Sequence, residues 1–402
     1  MKTTLYLFCL LIIFGCKEEA VQYEQYDFTI EGFDWDPDPY KFSSYIRDSV
    51  VTTSGAQVAS WDFSYIGDVK STHILWDGER GPSRTITQEE KDAFLLFQPK
   101  NAISHILDQA QSHQVIIINE GHHMPQHRVF TTQLLAGLKA QGYTHLGLET
   151  YFGTPKSDST MVADGFPSLT SGYYTKEPQF GNLLREALKE GFKIFGYESQ
   201  GHEDGKGREI NQARNIEAYL EKHPGEKVLI HCGFDHGYEG DMNNQWEKAM
   251  AGRLTEYTAI DPLTINQVLY PEKSKREYEN PFYQLTDVEE PSIFIDNEEN
   301  VFGEYRPGAH FDLAVFHPRS HEIGRPSWLI HEDRKEVAFS FAEAEIACPC
   351  LVLAYKEGDK IGSAVPYDIQ ETATKEVSLV LDNDKYEIII WNEAGKALKT
   401  SL

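Results

Sequence analysis

Four stretches of this sequence each end an apolar run in acids or histidines: Asn119-Glu120-Gly121-His122-His123, Gly147-Leu148-Glu149, Gly196-Tyr197-Glu198 and His231-Cys232-Gly233-Phe234-Asp235-His236. Carboxylates and imidazoles can exchange protons near neutral pH. Several of them on one rim shift one another's pKa values toward that range. Glu120, His122, His123, Glu149, Glu198 and His236 are therefore candidates for acid–base catalysis. His127, Arg128 and His231 are candidates for holding substrate or an oxyanion, since a guanidinium can grip such a group with two parallel hydrogen bonds. Glu120, His122 and His236 also make an alternative donor set for a divalent metal such as zinc, manganese or iron. The sequence requires no cofactor, because H-E-x-x-H and C-x-x-C patterns are lacking. It also lacks a G-x-S-x-G elbow, a Walker A loop and a G-x-G-x-x-G turn after a strand. Cys232 admits a thiol-nucleophile reading, but a small buried residue in a glycine-rich turn accounts for it equally well.

These stretches can act together only if the apolar runs are neighbouring strands. The runs at Val115 to Ile118, Leu146 to Leu148, Lys193 to Tyr197, Val228 to Ile230, Thr258 to Ile260 and Leu313 to Phe316 read as strands. Between them lie helical patterns at Arg128 to Lys139, Phe180 to Glu190, Arg208 to Lys222 and Asn244 to Tyr257. That alternation predicts an α/β fold, a central mainly parallel sheet with flanking helices, whose ligands bind beyond the carboxyl ends of the strands. Pro125 should open the helix behind the first cluster, turning His122 and His123 toward a helix N-terminus, which favours an anion. Thr87 to Glu90 has the form of a capping box, and a further helix is expected from Pro99.

The α/β domain is expected over residues 59–330, with core motifs at 115–265 and an insertion at about 262–301 that could act as a lid. Residues 331–402 read as a small β-rich C-terminal module, with strands at Ala338 to Ile346, Cys350 to Tyr355, Glu376 to Leu381, Tyr386 to Trp391 and Ala397 to Ser401. Asn392 to Gly395 should be a hairpin turn. Residues 17–58 have no clean period and read as a tether leading into irregular structure. Specificity would lie in the loops 151–179 and 262–301, which carry no readable motif.

The chain of 402 residues carries 37 Lys+Arg against 63 Asp+Glu, a formal net charge of −26 that would repel a phosphate backbone and excludes nucleic acid as a partner. Forty per cent hydrophobic and 25% charged residues are the composition of a globular protein with a sizeable core. Of the five cysteines, Cys9 and Cys16 belong to the N-terminal apolar segment, and Cys348 and Cys350 are too closely spaced for an ordinary bridge, so they read as buried strand residues. Lys2, the run Leu5 to Phe14 and then Gly15-Cys16 form a leader too short to span a bilayer.

The Ile13-Phe14-Gly15-Cys16 ending resembles a bacterial lipobox. The resemblance implies that residues 1–16 are a lipoprotein signal, that Cys16 is lipidated, and that acyl chains anchor the protein in the cell envelope, at the outer membrane or cell surface. A second resemblance covers roughly residues 100–265. The string Ile118 to Arg128, the strand ends at Glu149 and Glu198, the Arg208 to Ile216 helix and Gly233-Phe-Asp-His236 together resemble the superfamily of erythromycin esterases, ChaN-type haem-uptake proteins and Tiki proteases. The resemblance implies an α/β core with its site at the strand ends. Its esterase branch has Gly-Glu-x-x-His, which maps onto Asn119, Glu120 and His123, and a later histidine that maps onto His236. In that branch His and Glu activate water without a metal; the Tiki branch is similar to metal-dependent peptidases, and ChaN binds haem.

Asn119 stands where the esterases have glycine, and adjacent His122 and His123 leave open a Glu-x-His or a Glu-x-x-His register. The expectation is a hydrolase acting on a small molecule or peptide. There His123 or His122 is the general base, Glu120 and Glu149 orient the water, and Arg128 or His236 stabilises the oxyanion. The alternative is a non-enzymatic protein that captures haem or iron through this rim and the surrounding Tyr151, Tyr173, Tyr174 and Tyr238.

Overall fold

The computed structural model describes residues 21–402 apart from 35, 51–54, 79–80, 152–160, 200, 202–204, 304–307 and 321–323. Residues 1–16, including Cys16, lie outside the described residues. The fold is α/β, built on an eight-stranded sheet. Its strands are β1 (Gln98–Asn101), β2 (Val115–Glu120), β3 (Tyr143–Leu148), β4 (Lys193–Gly196), β5 (Lys227–Gly233), β6 (Leu263–Tyr270), β7 (Ser292–Ile295) and β8 (Leu313–Phe316). They lie in the order β1-β7-β8-β6-β2-β5-β3-β4. The six strands from β8 to β4 are parallel, and β7 and β1 add an antiparallel edge.

Every residue of β2 is buried, as a central parallel strand covered on both faces requires. Helices α1 (Gly55–Tyr65), α2 (Val69–Gly78), α3 (Ala102–Ala110), α4 (Pro125–Ala140), α5 (Pro178–Lys189), α6 (Gly205–Lys222) and α7 (Met250–Thr258) surround the sheet and the rim. On one face, Leu134, Leu135 and Leu138 of α4 and Leu183 and Leu184 of α5 share a core with Ile116, Ile118, Leu146 and Leu148. On the other, Ala213 and Ile216 of α6 and Met250 and Leu254 of α7 pack on Val115, Ile117, Val228 and Ile230.

Several elements differ from expectation. Pro99 lies in edge strand β1, where a missing N–H is tolerated, and α3 starts at Ala102 behind Asn101, whose side chain accepts the Ser104 N–H at 2.9 Å. No strand forms at Thr258 to Ile260: α7 runs to Thr258, and Ala259 closes it in the left-handed conformation at φ 55°. The segment 262–301, expected as an insertion, instead supplies β6, a central strand, and β7. Thr264, Asn266 and Gln267 hid β6 because they are buried polar residues that spend their hydrogen-bonding groups inside the protein. The capping box at Thr87 and Glu90 is present.

The C-terminal strands are antiparallel: β9 (Lys335–Ser340), β10 (Cys350–Lys356), β11 (Asp368–Thr372), β12 (Glu376–Leu381), β13 (Tyr386–Asn392) and β14 (Ala397–Ser401). β9 pairs with β12, while β14, β13, β10 and β11 form one sheet. Gly395, at φ 80°, makes the turn between β13 and β14. Part of the segment read as a tether leading into irregular structure is built into the C-terminal sheet. Glu24–Tyr26 pairs with β14, and Ser43 donates its N–H and its hydroxyl to Glu371.

Candidate functional site

The register of the parallel strands sets Glu120 beside Gly233 and Leu148 beside His231. Glu120, Glu149 and the residues after Gly233 thus reach one stretch of the carboxyl edge. Asn119 shapes that edge: its amide donates to the Phe234 carbonyl at 2.7 Å and accepts the Gln267 N–H at 2.7 Å. Phe234 consequently turns at φ 39°, a strained angle for a residue with a Cβ.

Glu120 is the hub. Its carboxylate accepts from Arg128 Nε at 2.7 Å and Nη2 at 2.9 Å, and its Oε1 lies 2.9 Å from His122 Nδ1. Burial alone would raise its pKa. The Arg128 guanidinium, with the His122 hydrogen bond and the nearby His231, outweighs burial and holds the acid far below the ordinary carboxylate value. Arg128 is fully buried. It also donates to Glu177 Oε2 at 3.0 Å and the His122 carbonyl at 2.9 Å, and lies over the Phe180 ring. Expected to hold substrate, Arg128 is instead enclosed by these partners.

The His122 ring stacks on Tyr174 at 3.9 Å between centroids, with Nδ1 toward Glu120. Its other nitrogen faces Gly233 and Glu149. A Cβ added at Gly233 would sit 2.6 Å from His122 Nε2 and 3.1 Å from Glu149 Oε2, so the lack of a side chain at Gly233 lets those two groups converge. Glu149 Oε2 accepts the Gly233 N–H at 2.5 Å, and Oε1 takes a hydrogen bond from Arg208. Burial raises the Glu149 pKa, but His236, Arg208 and His122 bring it down to about 2.

Arg208 ties the second half of the rim together. Its guanidinium binds Glu149 and Glu198 and lies 2.9 Å from His236 Nε2. His236 Nδ1 faces Glu209, and its ring stacks on Trp246 at 5.1 Å. Burial lowers its pKa, but Glu149 and Glu209 outweigh that effect and raise it above the ordinary value.

Of the other predicted imidazoles, His123 and His127 are engaged away from Glu149, and His231 lies against Glu120. His123 stacks on Trp76 at 3.8 Å and is buried. His127 accepts the Gly121 N–H on Nδ1 at 2.9 Å, and burial holds it neutral, so it braces the turn from within. His231 is buried with Nε2 3.6 Å from Glu120, and burial lowers its pKa to about 4. Cys232 is buried, and burial together with nearby carboxylates holds its thiol protonated, against a nucleophilic role.

The candidate metal set does not fit. Both oxygens of Glu120 accept from Arg128, and at His236 a guanidinium stands where a metal would bind Nε2. Among the described residues, Glu239, His310 and Asp312 have ligand atoms mutually within 4.8 Å.

Sequence reasoning passed over Glu177, Arg208 and Glu209 as site residues, and it named Tyr174 for haem capture and not as the partner of His122. Glu177 precedes Pro178 and caps α5 by accepting the Phe180 N–H, a helix-start signal legible in sequence. The stack of Tyr174 on His122 carries no such signal, since it forms across the fold. Two clefts of about 690 Å³ each lie elsewhere, and none of Glu120, His122, Glu149 or Arg208 lines them. The rim is marked by convergent charge and not by volume.

No family model and no curated protein matches the chain. Solved structures similar to it include the type III effector HopBA1, at 12% identity and TM-score 0.33, covering 55% of this chain and 96% of that one. The RRSP effector domain of a MARTX toxin from Vibrio vulnificus CMCP6 is similar at 17% identity and TM-score 0.30, over 50% and 44%. ChaN of Campylobacter jejuni, described for cofacial haem binding, is similar at 10% identity and TM-score 0.28, over 54% and 92%.

Proposed function

We propose that this chain is a hydrolase in which His122, oriented by Glu120, takes a proton from a water molecule positioned between its Nε2 and Glu149. The observation that carries this reading is the 2.9 Å contact between Glu120 and His122 Nδ1, which leaves Nε2 facing Glu149 across a residue without a side chain. An ionised Glu120 accepts the Nδ1–H, so the lone pair sits on Nε2. Glu149 accepts the second hydrogen of the water. The oxygen attacks an ester or amide carbonyl, the proton passes to His122, and the imidazolium, stabilised by Glu120, returns it to the departing alkoxide or amine. Arg208, with 31% of its side chain exposed, is the cation at the open edge of the rim.

Haem or iron capture would need imidazoles and phenols on an outward face. His123, His231, Tyr151 and Tyr238 are buried, His122 is stacked on the half-buried Tyr174, and only Tyr173 and Tyr174 among these tyrosines are partly open, an arrangement that favours hydrolysis. The test is a panel of aryl esters and aryl amides with the wild type and His122→Ala. The variant should lose about 10² to 10⁴ in kcat/KM while keeping its Tm. An unchanged rate in the variant, or stoichiometric haem binding by a wild type inactive on the whole panel, would overturn the proposal.

We also infer that Cys16 carries the acyl chains of a cell-envelope lipoprotein, a reading that rests on the lipobox-like sequence. None of the described helices is long and apolar enough to cross a membrane. Labelling with a palmitate analogue should mark the wild type and not Cys16→Ser; equal labelling of both would refute the assignment.

A further inference from the structure

Cys348 and Cys350 flank Pro349 at the start of β10, and their sulfurs lie 3.9 Å apart. Spacing alone made this pair look too tight to bridge, yet the fold already turns the two thiols toward each other. They are unequal. Cys348 is half-buried and donates its S–H to the Thr374 carbonyl at 3.2 Å. Cys350 is buried in the core of the C-terminal module, paired with Thr372 on one neighbouring strand and Asn392 on the other. Its thiol is in reach of both the Cys348 sulfur and the Ala347 carbonyl. Burial, then the neighbouring Cys348, push the Cys350 thiol up to about 12, while the Lys375 charge acts in the opposite direction. Lys375 is anchored by donating to the Ala342 and Ala344 carbonyls. The pair thus has a half-buried sulfur at the surface and, 3.9 Å away, a buried partner that keeps its proton, the division of labour that thiol–disulfide exchange uses.

We propose that Cys348 and Cys350 are a dithiol–disulfide couple that exchanges with an external disulfide. The Cys348 thiolate attacks one sulfur of that disulfide, breaking its S–S bond, releasing one thiolate and leaving a mixed disulfide on Cys348. Cys350 gives its proton to the released thiolate and attacks the Cys348 sulfur. The 348–350 bond forms, and the second thiolate departs and takes up the proton Cys348 lost. Two protein thiols are oxidised and one disulfide is reduced to two thiols, with no other reagent. The sulfurs must close by about 2 Å to reach the bonded distance.

The test uses the full-length protein equilibrated in glutathione buffers of stepped redox ratio, quenched with acid, alkylated and digested with trypsin. Glu336 to Lys356 is one tryptic peptide that holds both cysteines and no other. Under oxidising ratios it should lose about 2 Da, two hydrogens, and resist alkylation, and under reducing ratios it should recover. In Cys350→Ser, Cys348 should stall as a glutathione adduct, and in Cys348→Ser the buried Cys350 should take none. A wild-type peptide alkylated at both cysteines at every ratio, or carrying two separate glutathiones and no internal bond, would overturn the proposal. The wild-type titration decides this even if a variant folds poorly.

Discussion

His122 Nδ1 lies 2.9 Å from Glu120 Oε1, and the same carboxylate holds two hydrogen bonds from the buried Arg128. The proposed hydrolysis rests on this relationship between Glu120 and His122, two residues apart, while His123 is stacked on Trp76. A carboxylate fixed in its ionised form by a guanidinium cannot drift to the neutral state, so it fixes which ring nitrogen carries the proton. The same arrangement stores a vulnerability, since Glu120, Arg128 and Glu177 are buried together.

Gly233→Ala tests the geometry of the convergence. The backbone at Gly233 is at φ −87°, so alanine meets no conformational penalty, but its Cβ would enter the space of the His122 ring and the Glu149 carboxylate. Hydrolysis should fall by at least about tenfold, with a stability loss of about 1–3 kcal/mol from overpacking. Wild-type kcat/KM in this variant would show that His122 and Glu149 do not act across Gly233.

Arg128→Met tests the buried network. It leaves Glu120 and Glu177 without their cation, which should cost about 3–5 kcal/mol in denaturant unfolding. Arg128→Lys should recover only part of this, because an ammonium cannot present the forked donors that reach both carboxylates and the His122 carbonyl. A loss under about 1 kcal/mol for Arg128→Met would contradict the ion network.

Stability should fall in mild acid because of buried neutral imidazoles. Burial lowers the pKa of His73 and His231 to about 4 and that of His317 to about 3. Below about 6.5 the unfolded chain takes up protons that these folded imidazoles refuse. Their contribution is therefore complete above about 6.5 and lost progressively as the pH drops toward 4, or 3 for His317. Neither His317 ring nitrogen has a hydrogen-bond partner among the described residues. His317→Leu should thus flatten the fall of Tm between pH 7 and 4. An identical pH profile in the variant would count against it.

The parallel core was legible because β2, β3 and β5 are short apolar runs closed by polar residues, the pattern that a doubly covered strand imposes. β6 was not, since Thr264, Asn266 and Gln267 are buried by partners that only the assembled fold supplies. At the site, Glu120, Glu149, Glu198 and His236 could be found by their places after strands. The separation of His122 from His123, and the internal roles of His127 and Arg128, depend on which way each side chain turns within α4 and the loop before it. Adjacent histidines carry no sequence signal for that choice.

The most direct measurement compares kcat/KM for His122→Ala and His123→Ala on the same ester, with Tm recorded for both. If Glu120 orients the base, His122→Ala should lose about 10² to 10⁴ and His123→Ala much less, its cost appearing mainly in stability through the lost Trp76 stack. A His123→Ala variant that folds but has lost the reaction, beside an active His122→Ala, would contradict the account.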